Sequence, residues 1–407
     1  MLNCQAVPNV VRGAVGGELG LGRPFSPRTC VRKDIHYAPS HSRKTTMLQL
    51  KKKNVVISLS ALWLAASLGM APIDIGRRST ASDRNDSDSR GGELPLNLNP
   101  HDVMGVESCE KCHAPETSVW KQTPHSATFL TLHRRPEAQQ IADKLGISSF
   151  KNDSACIKCH YTMQTTGVGQ TSGTGIEAIA GVSCESCHGA AKNWLEVHSD
   201  YGGPGSTKDT ETAAHRVERL RSSIGAGMRN PINLYMVAQS CYRCHTVPDE
   251  RLVNVGGHNA GSMDFEFVAW SQGTVRHNFL RSDGLSNEAS SPERLRQMFV
   301  VGMIADLEFS LRATASATEK ATFGVNAAGR AARAAKRLAA AQSKLKQPLL
   351  QEILSIYQGV ELKLDNSSQL TAAADSIATL GIRFAATVDG SQLAAIEAYI
   401  PNRDRWK

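Results

Sequence analysis

Eight of the ten cysteines in this 407-residue chain fall into four copies of one pentapeptide, Cys-x-x-Cys-His. Two cysteines three positions apart lie on one side of a helical turn, so both sulfurs can bond to one planar group. The adjacent histidine can then supply an imidazole nitrogen to a metal ion at the centre of that group. The pattern is the attachment signature of c-type haem, in which the sulfurs form thioethers to the porphyrin vinyl groups. The copies are Cys109-Glu-Lys-Cys112-His113, Cys156-Ile-Lys-Cys159-His160, Cys184-Glu-Ser-Cys187-His188 and Cys241-Tyr-Arg-Cys244-His245.

These motifs predict four covalently bound haem c groups. The eight motif cysteines are the predicted attachment residues, and His113, His160, His188 and His245 are the predicted proximal ligands of the irons. A zinc or disulfide protein is the alternative interpretation of a single Cys-x-x-Cys pair. The histidine that follows every copy favours haem.

Residues 101–284 must position all four haems, which leaves about 46 residues for each haem. So short a chain cannot build an apolar core around each porphyrin, so the porphyrins themselves should form the core. We predict a mainly α fold of short helices and loops wrapped over four haems, without runs of alternating strands. We also expect this domain to need haem in order to fold. Outside the motifs, helices are predicted near residues 137–145, 212–222 and 231–239, and turns at 167–175 and 201–206.

The C-terminal residues 285–407 differ in composition, being rich in alanine and devoid of cysteine and histidine. Helical spacing and capping residues, such as Ser291 before Pro292, predict an α-helical bundle. The bundle either covers one face of the haems, as we expect, or serves for docking or oligomerisation. Its basic strip is expected to be a solvated helix face. The strip comprises Arg330, Arg333, Lys336, Arg337, Lys344 and Lys346, and the predicted helices span residues 292–321, 326–344, 348–362, 368–388 and 390–400.

The N-terminal residues resemble an export signal that begins at an internal methionine. Residues 47–71 combine a lysine-rich start with an apolar stretch and a small-residue site for cleavage after Ala71. Residues 1–46 are therefore interpreted as an upstream extension that precedes the true start, and residues 72–100 as a flexible linker. The alternative is an uncleaved segment, residues 55–73, that associates with the membrane. Either case places the haem domain outside the cytoplasm, in the periplasm.

The net charge of +8 comes entirely from residues 1–71. Ten of the 46 basic and two of the 38 acidic side chains lie in residues 1–71, so equal numbers of each sign remain beyond Ala71. The chain therefore lacks the basic face expected of a nucleic-acid-binding protein. Redox partner proteins, which donate and accept electrons, are the predicted partners.

The distal ligand decides what each haem can do. A second imidazole saturates the iron and favours reversible electron transfer, whereas an open position permits binding of small molecules. More histidines are available than four haems could use, and methionine is a weaker alternative. The candidates are His101, His125, His133, His198, His215, His258 and His277.

Three stretches resemble the tetrahaem cytochrome c-554 family, over roughly residues 105–280. The first motif is followed by Trp120-Lys-Gln-Thr-Pro-His125, the third lies in Gly181-Val-Ser-Cys-Glu-Ser-Cys-His-Gly189 with His198-Ser-Asp-Tyr-Gly202 behind it, and Arg276-His277 follows the fourth. The family consists of electron carriers best known downstream of hydroxylamine oxidation. The resemblance does not extend to the C-terminal bundle.

The resemblance implies three distal ligands. His125 would serve the iron held by His245, His198 that of His188, and His277 that of His113. The haem on His160 would lack a distal protein ligand, unless His133, His215 or His258 supplies one. The main hypothesis is thus an electron-transfer protein without turnover of its own. The alternative is an enzyme that reduces or oxidises a nitrogen or sulfur oxide at the His160 haem.

Overall fold

The structure is a computed structural model that describes residues 98–165 and 175–407. The predictions made for the upstream extension, the leader and nearly all of the linker fall outside these residues, as do most of the turn predicted at 167–175. The described residues form a mainly α fold, as predicted. None of their helices is both long and apolar enough to cross a membrane.

Ten helices lie in the described part of the region that carries the haem motifs. They are α1 Val106–Glu110, α2 Ala114–Trp120, α3 Pro124–Thr131, α4 Pro136–Leu145, α5 Ser154–His160, α6 Cys184–His188, α7 Ala213–Gly225, α8 Leu234–His245, α9 Glu250–Asn254 and α10 Phe267–Ser271. Short 3-10 turns interrupt them at Pro100–Asp102, Leu132–Arg134, Val197–Ser199 and Phe279–Arg281. The helix predicted near residues 231–239 is longer than expected, because α8 continues through the fourth motif to His245.

A small antiparallel sheet was missed by the sequence prediction. Strand β1, Thr162–Thr165, pairs with β2, Ile176–Ala180, directly after the second motif. Each strand has only four or five residues, too few for alternation to be recognised.

Local capping explains why three of the motifs become helical. Asp153 accepts a hydrogen bond from the Ala155 N–H at the start of α5, and Asn233 accepts one from the Tyr235 N–H at the start of α8. Ser183 and Ser186 form a reciprocal capping box on α6. Such caps each stabilise a helix end by about 1 kcal/mol.

Four long helices make up most of the C-terminal region. They are α11 Pro292–Ala315, α12 Thr322–Leu345, α13 Pro348–Gln358 and α14 Ser367–Thr387, followed by 3-10 helix at Gly390–Tyr399 and Arg403–Arg405. Ser291 caps α11 as predicted, since its hydroxyl accepts from the Arg294 N–H. However, α11 ends at Ala315 rather than near residue 321, and the next helix begins at Thr322.

Helix α11 is the centre of the main hydrophobic core. Its residues 298–311 are buried on every face, as expected of a helix surrounded by others. The same cluster includes Tyr235 and Tyr242 of α8 and Phe267 of α10, so one core joins the haem-motif region to the C-terminal helices. The domain boundary between residues 284 and 285 stays a prediction, but the hydrophobic core contains residues from both sides of it.

Two glycines allow the C-terminal helices to approach α8 and α10 closely. A Cβ atom on Gly381 would lie 2.3 Å from the ring of Tyr235, and one on Gly302 would lie 2.6 Å from Cβ of Phe267. Both distances are far below van der Waals contact, so α14 and α11 pack here only because these side chains are absent.

Candidate haem-binding site

The four motif segments lie in a continuous series. The side chains of Cys109 and Cys184 are close neighbours, which joins the first motif to the third. Likewise Cys159 neighbours Cys244, which joins the second motif to the fourth. The Ser240 hydroxyl donates to the Cys187 carbonyl at 2.9 Å and thereby joins the third motif to the fourth. The order in space is therefore first, third, fourth, second.

The described structure arranges six histidines as three facing pairs. The ring centroids are 6.3 Å apart for His113 and His198, 6.3 Å for His125 and His245, and 6.2 Å for His188 and His277. Each pair combines a motif histidine with a distal candidate. Three pairs at one separation indicate a common cause.

That separation fits a metal ion between two imidazoles. A metal–imidazole nitrogen bond is about 2.0 Å long, as at zinc, and the nitrogen lies about 1.1 Å from the ring centroid for ring bonds of about 1.33 Å. Imidazoles on opposite sides of one metal ion would thus have centroids about 6 Å apart. The three pairs meet this requirement.

Hydrogen bonds at Nδ1 orient four of the six rings. The Nδ1 atom of His188 lies 3.3 Å from the Arg229 carbonyl, that of His277 lies 2.7 Å from the Val275 carbonyl, and that of His198 contacts the Leu195 carbonyl. His245 Nδ1 lies 3.3 Å from the Ser262 hydroxyl. An Nδ1–H bonded in this way leaves Nε2 as the nitrogen that can bind a metal ion.

Burial keeps several of these imidazoles neutral, which is the form that binds metals. It lowers the pKa of His188 to about 4 and that of His245 to about 3. Burial also lowers the pKa values of His125 and His198 below the usual range. These side chains are therefore unprotonated at neutral pH.

Unpaired donors mark places where a carboxylate would fit. In the described part of the chain, six buried side-chain donors lack a hydrogen-bond partner, and all six lie between residues 117 and 276. They are Thr117 Oγ1, Tyr161 OH, Trp194 Nε1, Arg243 Nε, Trp270 Nε1 and Arg276 Nε. Each lies close in the chain or in space to one of the motif or distal histidines; the Trp194 ring centroid, for example, is 5.2 Å from that of His198. Haem propionates would supply acceptors for such donors.

Two of the three distal pairings differ from the expected ones. His125 faces His245 as expected, whereas His198 faces His113 and His277 faces His188. The facing rings thus differ from the ligand assignments that the resemblance implied, in which His198 serves the iron of His188 and His277 that of His113.

Glu185, inside the third motif, explains the exchange. Its buried carboxylate accepts the N–H groups of Met104 and Gly105 at 2.9 Å and that of Ala191 at 2.8 Å. These bonds tie the segment leading to His198 to the start of α1, so His198 is carried to the first motif. Nothing in the motif signalled this arrangement, because the two residues between the motif cysteines can be of any type.

His160 differs from the other motif histidines. Among the described residues, no aromatic ring faces it at the separation of the three pairs. Burial lowers its pKa to about 4, and the charges of His258 and His125 contribute. His258 is thus the spare histidine whose charge acts on His160, while His215 is engaged by Glu211 at 2.9 Å. His101 contacts Thr165 Oγ1 at 3.0 Å.

Aromatic residues that sequence analysis did not single out enclose His245. The Phe265 ring stacks on the imidazole with centroids 4.1 Å apart, and the Trp270 centroid lies 5.4 Å away. They follow the motif by 20 and 25 residues, Phe265 in a loop and Trp270 in the five-residue helix α10, which is too short for periodicity to reveal them.

Short Cys-x-x-Cys-His helices with facing imidazoles, in a mainly α fold, define a c-type cytochrome, a class that carries covalently attached haem. Residues 108–189 match the family described as cytochrome c554 and c-prime. Cytochrome c-554 of Nitrosomonas europaea is 33% identical over 104 residues, which cover 24% of this chain. Residues 108–189 are therefore similar to the cytochrome c-554 family.

The match has limits. It spans 43% of the length of the Nitrosomonas cytochrome. The family range contains the first three motifs and ends just after His188, so the fourth motif and the C-terminal helices lie beyond it. No solved structure matches the chain.

Proposed function

We propose that this protein is a tetrahaem c-type cytochrome that relays single electrons between redox partner proteins outside the cytoplasm. The observation that carries the proposal is the set of three imidazole pairs at 6.2–6.3 Å. When bound, the haems would supply one-electron iron chemistry. Bis-imidazole ligation favours reversible electron transfer over catalysis.

The proposed ligands follow from the facing pairs. His113 and His198 would hold the first iron, His188 and His277 the third, and His125 and His245 the fourth. His160 would hold the second from one side. The eight motif cysteines would attach the four porphyrins, and the unpaired donors near them would bind propionates.

The order of the motif segments supports a single relay. Contacts between Cys109 and Cys184, Ser240 and Cys187, and Cys159 and Cys244 link the motifs in the order first, third, fourth, second. We infer that electrons cross the protein along this series. The first and second motifs would then face the partners at its two ends.

Charge and targeting support an extracytoplasmic carrier. Residues 101–284 hold 17 basic and 19 acidic side chains, and eight propionates would add negative charge, so a partner with a basic patch is favoured. Residues 47–71 would be removed on export to the periplasm, or the uncleaved segment at residues 55–73 would remain as a membrane anchor.

A second function is favoured by the His160 site alone. Since no described ring faces His160 at ligand separation, this haem could bind a nitrogen or sulfur oxide and reduce or oxidise it. The carrier stays our main proposal, because three of the four motifs have facing imidazoles.

Mass spectrometry and spectroscopy of the ferric protein test both functions. We expect a mass increase corresponding to four haems, with three low-spin haems and a high-spin fraction near one in four that binds carbon monoxide or nitric oxide after reduction. Four low-spin haems without ligand binding would exclude the oxide-converting enzyme. Fewer than four haems, or a majority that is high-spin, would contradict the tetrahaem carrier.

A further inference from the structure

We propose that Arg330, on helix α12 of the C-terminal region, is a positioning residue that orients His245 and raises the reduction potential of the haem at the fourth motif. This inference rests on the proposed function, since it requires that haem to be present. It assigns redox chemistry to a region in which the sequence showed none.

Arg330 reaches the segment that holds the His245 imidazole. Its Nη1 donates to the carbonyl of His245 at 3.2 Å and to that of Ser262 at 2.9 Å. The Ser262 N–H in turn donates to the His245 carbonyl at 2.9 Å, and the Ser262 hydroxyl lies 3.3 Å from His245 Nδ1. The guanidinium thus holds the Ser262 segment in place, and that segment orients the His245 imidazole.

The neighbouring loop is shaped to admit the guanidinium. Gly261 has φ +87°, in the left-handed region, and a Cβ atom there would lie 3.1 Å from Arg330 Nη1 and 3.1 Å from the His245 carbonyl. Only glycine avoids both the strain and the crowding at this position.

Burial makes the charge of Arg330 effective. The side chain is buried, with Nε bound to Asp306 Oδ1 of α11 at 2.6 Å. The guanidinium therefore lies between Asp306 and His245, with Nε on the Asp306 side and Nη1 on the His245 side. Oxidation adds one positive charge to a haem iron, so a nearby cation favours the reduced state and raises the potential.

Arg330 is therefore not part of the solvated strip that the sequence predicted. Arg333, one turn further along α12, does fit that prediction, because it is exposed and contacts Met263. The two arginines differ in burial but not in charge or helix, which makes Arg333 a matched control.

Spectroelectrochemical titration of the full-length haem-loaded protein tests the inference, with haem content checked by mass spectrometry. Arg330→Gln should lower the potential of one haem by about 59 mV, a tenfold change in a one-electron equilibrium. Asp306→Asn should raise the same potential, because it leaves Arg330 uncompensated. Arg330→Lys should stay closer to wild type than Arg330→Gln, and Arg333→Gln should leave all four potentials unchanged.

The opposite potential shifts expected for Arg330→Gln and Asp306→Asn distinguish an effect of charge from a loosening of the fold. If Arg330→Gln and Asp306→Asn shift the potential in the same direction, or if Arg330→Lys falls as far as Arg330→Gln, the effect is one of packing and the inference is wrong. It also fails if four haems are present and Arg330→Gln behaves like Arg333→Gln. A wild-type protein without haem at the fourth motif would instead overturn the proposed function.

Discussion

The haem-motif region and the C-terminal helices satisfy their buried polar groups in different ways. All six buried side-chain donors without a partner in the described chain lie between residues 117 and 276, and none lies in the C-terminal helices. There, even the buried Glu308 is fully engaged, by Tyr235 at 2.6 Å, Arg312 at 2.9 Å and Gln239 at 3.0 Å. The first region holds buried donors for which the proposed haems would supply acceptors, whereas the C-terminal helices pair their buried polar groups within the protein.

Removal of haem is the strongest test of this difference between the two regions. In full-length chain produced without haem attachment, we expect residues 101–230 to lose native structure, because their donors and imidazoles lose their partners. Residues 292–387 should keep much of their helix content. Circular dichroism with limited proteolysis would show cleavage confined to the first region. Equal protection of both regions would contradict the expectation.

A clash in the C-terminal core should change stability without changing the haem spectrum. Gly381→Ala would force a methyl group against Tyr235, so we expect the free energy of unfolding to fall by about 1–3 kcal/mol. Gly329→Ala, in helix α12 with only Arg333 within 4 Å, is the control and should stabilise by about 0.5–1 kcal/mol. Chemical denaturation measures both. A changed ferric spectrum in folded Gly381→Ala would show that the two regions are more tightly coupled than we infer.

A ligand substitution in the haem-motif region should change the haem spectrum with little change in stability. His198→Ala removes the imidazole that faces His113, so we expect one additional high-spin haem with a small change in stability. Combining it with Cys109→Ala and Cys112→Ala removes the first haem, and the new high-spin signal should vanish from the electron paramagnetic resonance spectrum. If the signal persists, His198 serves the third haem, as the sequence had implied.

A change of pH tests the burial of the motif imidazoles. Burial lowers the folded-state pKa of His188 to about 4 and that of His245 to about 3, whereas an unfolded histidine has a pKa of about 6.5. Below that value the unfolded chain binds more protons, so stability should fall as pH falls from about 6.5 to 4, by up to about 1.4 kcal/mol per pH unit and imidazole. Denaturation at pH 7 and pH 5 measures this. Equal stability at both would contradict neutral buried imidazoles.

The sequence predicted features whose causes are local. The motif helices and the start of α11 at Pro292 depend on capping residues a few positions away, and the predictions there agreed with the structure. The pairing of His198 could not be predicted in this way, because it depends on Glu185 binding backbone 80 residues distant. The burial of Arg330 likewise depends on Asp306 and His245, which lie on other segments.

The three facing pairs also bear on how the chain assembles. They join His113 to His198, His125 to His245 and His188 to His277, so the intervening loops are long and overlap one another. Closing such loops costs conformational entropy, and contacts between residues far apart in sequence slow folding. A chain that emerges N-terminus first would hold its first motif without a partner until His198 had followed. Folding could then be completed only after His277 had emerged.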